Sequence, residues 1–240
     1  MDLRDKVAIV TGASSGLGVD FARLLVDRGA TVYGFARRVD RLEEVGRALG
    51  GQFVGIACDI TNEEAVATAV ERVLEERDRI DVLINNAGLG KFGPIDVLSS
   101  ADWSTMIDTN LTGVFYATRA VIPTMKQQNK SAGFGGHIVN IASVAGLLGN
   151  PNLGGYNATK FGLRGLSEAV MKEVRNDGIK VSCVFPGSVR TEFSDVAGTP
   201  GSPNPMESTD VAQTVIHLLE TPDNYLISEV AMRPLRPRGT

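Results

Sequence analysis

Val7-Ala8-Ile9-Val10-Thr11 runs straight into Gly12, Gly16 and Gly18, spaced G-x-x-x-G-x-G, and then into Leu17, Phe21, Leu24 and Leu25 at helical spacing, with Gly29 as the stop. A short continuous apolar run is the pattern of a strand buried on both faces. Strand, glycine turn and helix in this order open a unit whose next strand must lie parallel to the first. The glycines permit a tight turn and close approach to a pyrophosphate. The helix N-terminus adds unpaired N–H groups and the positive end of its dipole. Gly12, Ser14, Ser15, Gly16, Leu17 and Gly18 are therefore candidate phosphate contacts; a purely structural turn is the alternative.

The same alternation continues to the end of the chain. Strand patterns recur at 31–35, 52–57, 80–84, 137–142, 180–185 and 226–232. Helical patterns lie between them at 40–49, from Thr61 or Asn62 to 77, at 101–127, at 156–174 and at 210–219. The long pattern at 101–127 is interrupted near Asn110 and Pro123, and 128–136 reads as a polar turn. Such alternation calls for an α/β fold: a doubly wound parallel sheet of about seven strands with helices on both faces. A single domain over 1–240 is expected, with no linker or repeat. The Gly-, Pro- and Ser-rich stretch 194–208 reads as a mobile loop, either a lid over a substrate or an idle surface loop.

Open sheets of this kind bind ligands beyond the carboxyl ends of their strands. At the end of the second strand an acid would hold the ribose hydroxyls of NAD, but Arg37 and Arg38 stand there instead. Guanidinium groups pair with phosphate, so the expectation is NADP in preference to NAD; an exposed helix start is the other reading. Asp59-Ile60, after the third strand, either accepts a hydrogen bond from adenine or begins the next loop. Asn86-Ala87-Gly88, after the fourth, offers an amide to a neighbouring strand's backbone and room for a cofactor. Asn110 is a weak helix former in mid-helix: a local kink with a functional amide, or an exposed polar position. Ser143 ends the fifth strand and can hold a carbonyl oxygen, while Pro186, Gly187, Val189 and Thr191 follow the sixth.

Tyr156 and Lys160 are four residues apart on a helical pattern, which puts phenol and ammonium on one face. A free tyrosine titrates near 10, and a neighbouring cation pulls it down. Bringing it toward neutrality takes about 3–4 kcal/mol of differential interaction. The pair is then a general acid/base usable near pH 7; an ordinary surface contact is the alternative.

Composition excludes several other functions. The net charge is −4 with no block of like charge, which argues against nucleic acid as a partner. His137 and His217 are the only histidines and Cys58 and Cys183 the only cysteines, so no metal site and buried reduced thiols are expected. The N-terminus is charged and no h-region follows; no apolar run approaches the roughly 18 residues that span a membrane. A cytoplasmic enzyme fits. Arg233, Arg236 and Arg238 make a small basic tail, either solvated or touching another subunit.

Taken together, Thr11-Gly-Ala-Ser-Ser-Gly-Leu-Gly18, Asp59, Asn85-Asn-Ala-Gly88, Asn110, Ser143, Tyr156-x-x-x-Lys160 and Pro186-Gly187 resemble the short-chain dehydrogenase/reductases over essentially the whole chain. The resemblance implies a Rossmann-type fold and hydride transfer between a nicotinamide and a carbonyl or secondary alcohol. It implies that Tyr156 protonates the substrate oxygen, that Lys160 lowers its pKa and binds the nicotinamide ribose, and that Ser143 polarises the carbonyl. It implies that Asn110 anchors a water for proton relay, that Val189 and Thr191 lie by the carboxamide, and that Arg37 selects NADP. It also implies a homotetramer or homodimer paired through the long helix and the Tyr156 helix. Two departures stand out. Many NADP-preferring members carry a basic residue where Ser15 stands, and 127–136 holds extra residues that should form a surface turn. The alternative function is a catalytically silent NADP-binding regulatory or scaffold protein, whose expected mark is a damaged Ser–Tyr–Lys set. Phe92, Val144, Leu147, Leu148, Asn150, Asn152 and Phe193 are pocket candidates that favour an uncharged, apolar ketone, aldehyde or acyl thioester.

Overall fold

β1 (Val7–Thr11) is buried at every position, and its side chains divide by alternation. Ala8 and Val10 join one core with Phe21, Leu25, Leu42, Val211 and Leu218; Val7 and Ile9 join another with Val66, Val70, Val73, Val121 and Met125. One strand thus feeds two helical layers, as its unbroken apolar run requires. The computed structural model describes residues 1–193, 197 and 203–236.

Seven parallel strands form one sheet in the order β3-β2-β1-β4-β5-β6-β7. They are β1, β2 (Thr31–Ala36), β3 (Phe53–Ala57), β4 (Val82–Asn85), β5 (Gly136–Ile141), β6 (Ile179–Pro186) and β7 (Glu229–Met232). α1 (Leu17–Asp27), α2 (Val39–Leu49) and α7 (Ser208–Glu220) cover the first face. α3 (Glu63–Arg77), α5 (Gly113–Ala132) and α6 (Gly154–Val174) cover the second, and α4 (Ser100–Ile107) precedes α5. The chain runs outward from β1 to β3, then crosses back to place β4 on the other side of β1. That reversal opens a crevice beyond the strands' carboxyl ends.

Several boundaries differ from those read in the sequence. Asn62, not Thr61, caps α3: its Oδ1 accepts from Ala65 N at 3.0 Å. The long helix does not yield to a turn at 128. It continues to Ala132, where Gly133 in the left-handed region ends it, and most of this last part is exposed and so can be polar. Gln128 is tied in, accepting from Ile80 N (2.8 Å) and donating to Ile80 O (2.9 Å) and Gly135 O (2.7 Å). Pro123 sits inside α5 without ending it. The break near Asn110 is real and is a π-turn, Asp108–Thr112. β7 starts at Glu229 rather than 226, since Ile227 O instead accepts from Ser182 Oγ at 2.6 Å. Most of the expected loop 194–208, and Arg238, lie outside the described residues. Among the described residues no helix is long and apolar enough to cross a membrane.

Candidate active site

The glycine turn occupies the crevice between β1 and β4. Gly12 has φ +68°, and a Cβ there would lie 2.9 Å from Ala87 Cα. Gly18 faces back on the turn, where a Cβ would lie 2.1 Å from Gly12 O. Glycine is thus required by contact at both positions. Thr11 and Asn86 fasten the two strand ends. Thr11 Oγ1 accepts from Asn86 N and Ala87 N, both at 3.0 Å, and Asn86 Nδ2 donates to Thr11 O at 2.9 Å. Asn86 does what its amide promised; Thr11 was quoted in the motif without a role of its own. Gly16 precedes α1, and no side chain caps the helix. Its first-turn N–H groups and dipole therefore suit a phosphate, and the tight turn leaves room for one.

Around this turn lies a cavity of about 640 Å³. Ser14, Ser15, Gly16 and Leu17 form one wall, with Arg37, Arg38, Asp59 and Ile60 beside them. Asn86, Ala87 and Gly88 form the floor; Pro186, Gly187, Val189 and Thr191 close the far side. Ser143, Tyr156 and Lys160 line its inner end. Of the sequence candidates, Gly18, Asn110, Leu147, Leu148 and Asn152 do not line the cavity, whereas Phe92, Val144, Asn150 and Phe193 do. Asp59 Oδ1 accepts from Thr61 N (3.0 Å) and Thr61 Oγ1 (2.8 Å), so it shapes its loop while still facing the cavity. Arg38 bonds Ser14 Oγ (3.1 Å) and Ser15 Oγ (2.7 Å), clasping the glycine turn.

Asn110 is fully buried, which decides between its two readings. The π-turn aims its amide at the loop after β4: Oδ1 accepts from Leu89 N and Nδ2 donates to Leu89 O, both at 2.8 Å. Nδ2 also donates to Thr159 Oγ1 at 3.1 Å, linking that loop to α6. Single π-turns within helices are often found at functional sites. Asn157 pins the other approach, donating to Ala145 O (2.6 Å) and Leu148 O (2.8 Å).

Tyr156 and Lys160 share one face of α6, as their spacing requires, and both are buried. Their electrostatics differ from expectation. Lys160 Nζ donates to Ile141 O at 3.0 Å and lies 5.6 Å from the Tyr156 ring centroid. Burial pushes the phenol up to about 12, opposed only by the Ser143 hydroxyl, and pushes the ammonium down to about 8. Spacing led to the expectation of a lowered Tyr156; in this structure burial is the larger effect and the phenol sits above its ordinary value. Phe92 and Phe193 enclose the phenol, with ring centroids 5.4 Å and 5.7 Å from it. Glu192 also lines the cavity and went unnoticed in the sequence.

The short chain dehydrogenase family model matches residues 6–199. An uncharacterized oxidoreductase of Staphylococcus saprophyticus is 33% identical over 239 residues, covering 98% of this chain and all of the relative. A serine dehydrogenase solved with NADP+ superposes with a TM-score of 0.88 at 33% identity, covering 94% of both chains. A 3-ketoacyl-(acyl-carrier-protein) reductase from Brucella melitensis, solved with NADH, gives 0.88 at 29% identity over 96% of this chain and 97% of the other. With its sheet order, its glycine turn and these relatives in agreement, the chain belongs to the short-chain dehydrogenase family.

Proposed function

We propose that the protein is an NADP(H)-dependent oxidoreductase acting on a carbonyl or secondary alcohol, with Tyr156 as general acid/base. The observation that carries this reading is that Ser143, Tyr156 and Lys160 line the same cavity as the glycine turn. A bound nicotinamide supplies or accepts the hydride. The uncapped start of α1 and the Ser14–Gly16 backbone suit its pyrophosphate, and Arg37 and Arg38 suit a 2′-phosphate. The NADP+-bound serine dehydrogenase supports that choice; the NADH-bound reductase shows that the fold also takes NADH. In reduction the Tyr156 hydroxyl gives its proton to the substrate oxygen as hydride reaches the carbon, and Ser143 donates a hydrogen bond to that oxygen. The phenolate left behind regains a proton from solvent, with the Lys160 ammonium beside it offsetting its charge meanwhile, and the Asn110 amide holds the loop and α6 in register behind them.

Around the phenol the cavity walls are Leu89, Phe92, Ala145, Leu153 and Phe193. Among the described lining residues the cations are Arg37, Arg38 and Lys160, with only Lys160 near Tyr156. This supports an uncharged apolar ketone, aldehyde or acyl thioester over a hydroxy acid, whose carboxylate would need its own cation. Trp103, Phe115 and Phe161, exposed on α4, α5 and α6, support assembly with a second copy. An NADPH-oxidation screen over ketones, aldehydes, 3-oxoacyl thioesters and sugars tests the reading, with Tyr156→Phe as control. That variant should lose roughly 10²–10⁴ in turnover. A variant as active as the parent, or a parent silent on every substrate while binding NADPH, would refute it.

A further inference from the structure

The arm after β2 and the segment after β6 meet across the cavity. Glu192 follows Thr191 and is 53% exposed in its side chain. Its carboxylate faces two guanidinium groups. Arg41 Nη1 donates to both Oε1 and Oε2 at 2.9 Å, and Arg38 Nη1 lies 3.8 Å from Oε2. Arg38 meanwhile donates to Ser14 and Ser15 of the glycine turn. One cation is thus shared between that turn and an acid more than 150 residues away in sequence. Glu192, Arg37 and Arg38 line the same cavity.

We propose that Glu192 is a cofactor-selectivity residue, whose carboxylate competes with an adenosine 2′-phosphate for Arg38 and Arg41. The inference rests on the reading that NADP(H) is the cofactor. A phosphate approaching these arginines must displace an anion already paired with them and is repelled by it. A nucleotide without that phosphate meets neither effect. The carboxylate therefore sets how far the arginine cluster prefers the phosphorylated nucleotide. The residue next in sequence, Phe193, packs its ring 5.7 Å from Tyr156, so displacing Glu192 also reaches the wall of the substrate end.

Calorimetric binding of adenosine 2′,5′-bisphosphate and adenosine 5′-monophosphate isolates the 2′-phosphate without turnover. Glu192→Gln should tighten the bisphosphate by roughly twofold to fivefold, the range of an exposed ion pair, and leave the monophosphate unmoved. In an Arg38→Ala background the gain should shrink, because one of the two contested partners is gone. Equal change for both ligands, or none for either, overturns the role of Glu192 even if Arg37→Ala still weakens the bisphosphate selectively. If the parent binds the two ligands alike and Arg37→Ala moves both equally, the NADP reading itself falls, and this inference with it.

Discussion

Lys160 Nζ reaches past the Tyr156 ring, 5.6 Å from its centroid, and spends its hydrogen bond on Ile141 O. Lys160 is 4% exposed, and its ammonium has no carboxylate partner among the described residues. Burial lowers its pKa from 10.5 to about 8, so between those values the folded protein binds fewer protons than the unfolded chain. Stability therefore rises with pH across that window, and the full penalty stands below about pH 8. Lys160→Met removes the buried charge but strips Ile141 O of its donor. The variant should be more stable at pH 7 by about 1–3 kcal/mol, with the gain gone near pH 10.5, while turnover falls. Urea unfolding at the two pH values measures this; a Met variant no more stable than the parent at pH 7 refutes it.

Asn110 holds both backbone groups of Leu89 from inside the π-turn. Asn110→Ala leaves the part-buried Leu89 N and Leu89 O without their partner and takes the amide donor from Thr159 Oγ1, which keeps its own bond to Tyr156 O. A fully buried unmet group costs about 1–3 kcal/mol, and water reaches the part-buried Leu89 groups, so a loss of roughly 2–4 kcal/mol in unfolding free energy is expected, with activity lower under conditions where the fold persists. A variant within about 0.5 kcal/mol of the parent would show that the amide is not what holds the turn.

How much of this was readable depended on how local each cause was. The opening strand, glycine turn and α1 were legible because continuous burial and helical spacing are written in adjacent residues. Asn110 was legible only as an anomaly; a π-turn has no apolar period of its own, and the loop that it clasps lies 21 residues away. The direction of the Tyr156 shift was not legible at all. Spacing along a helix gives the cation's side, but burial comes from Phe92, Phe193 and the rest of the fold. Glu192 was missed for the same reason, since its partners stand at the far end of the chain. The tail of α5 misled because an exposed stretch of helix, with no apolar period to show it, is as polar as a turn.

Gly18→Ala tests the glycine turn by contact. The added methyl would stand 2.1 Å from Gly12 O, a backbone atom that cannot rotate away. The turn must open, moving the N–H groups at the start of α1. NADPH affinity should fall at least tenfold and the midpoint of thermal unfolding should drop. Titration of intrinsic fluorescence with NADPH reads the first; unchanged affinity would mean that the turn does not hold the phosphates.

Tyr156 keeps its proton well above neutrality, because burial holds it at about 12 against the pull of Ser143. A protonated phenol is the form that donates to a carbonyl oxygen, so reduction should be nearly independent of pH from 6 to 8. Above that, Lys160 loses its charge at about 8 and reduction should decline. Alcohol oxidation needs the phenolate. Its fraction grows about tenfold per pH unit below the pKa, so kcat/KM for oxidation should climb steeply over pH 6–8. The two directions should therefore have opposite slopes near pH 8 on one substrate pair. Profiles of both directions with the same ketone and alcohol make the comparison. An oxidation profile flat over pH 6–9 would mean that the proton leaves through some group other than Tyr156. Ser143→Ala removes the one group that pulls the phenol down, so it should displace the oxidation profile toward higher pH as well as slow both directions.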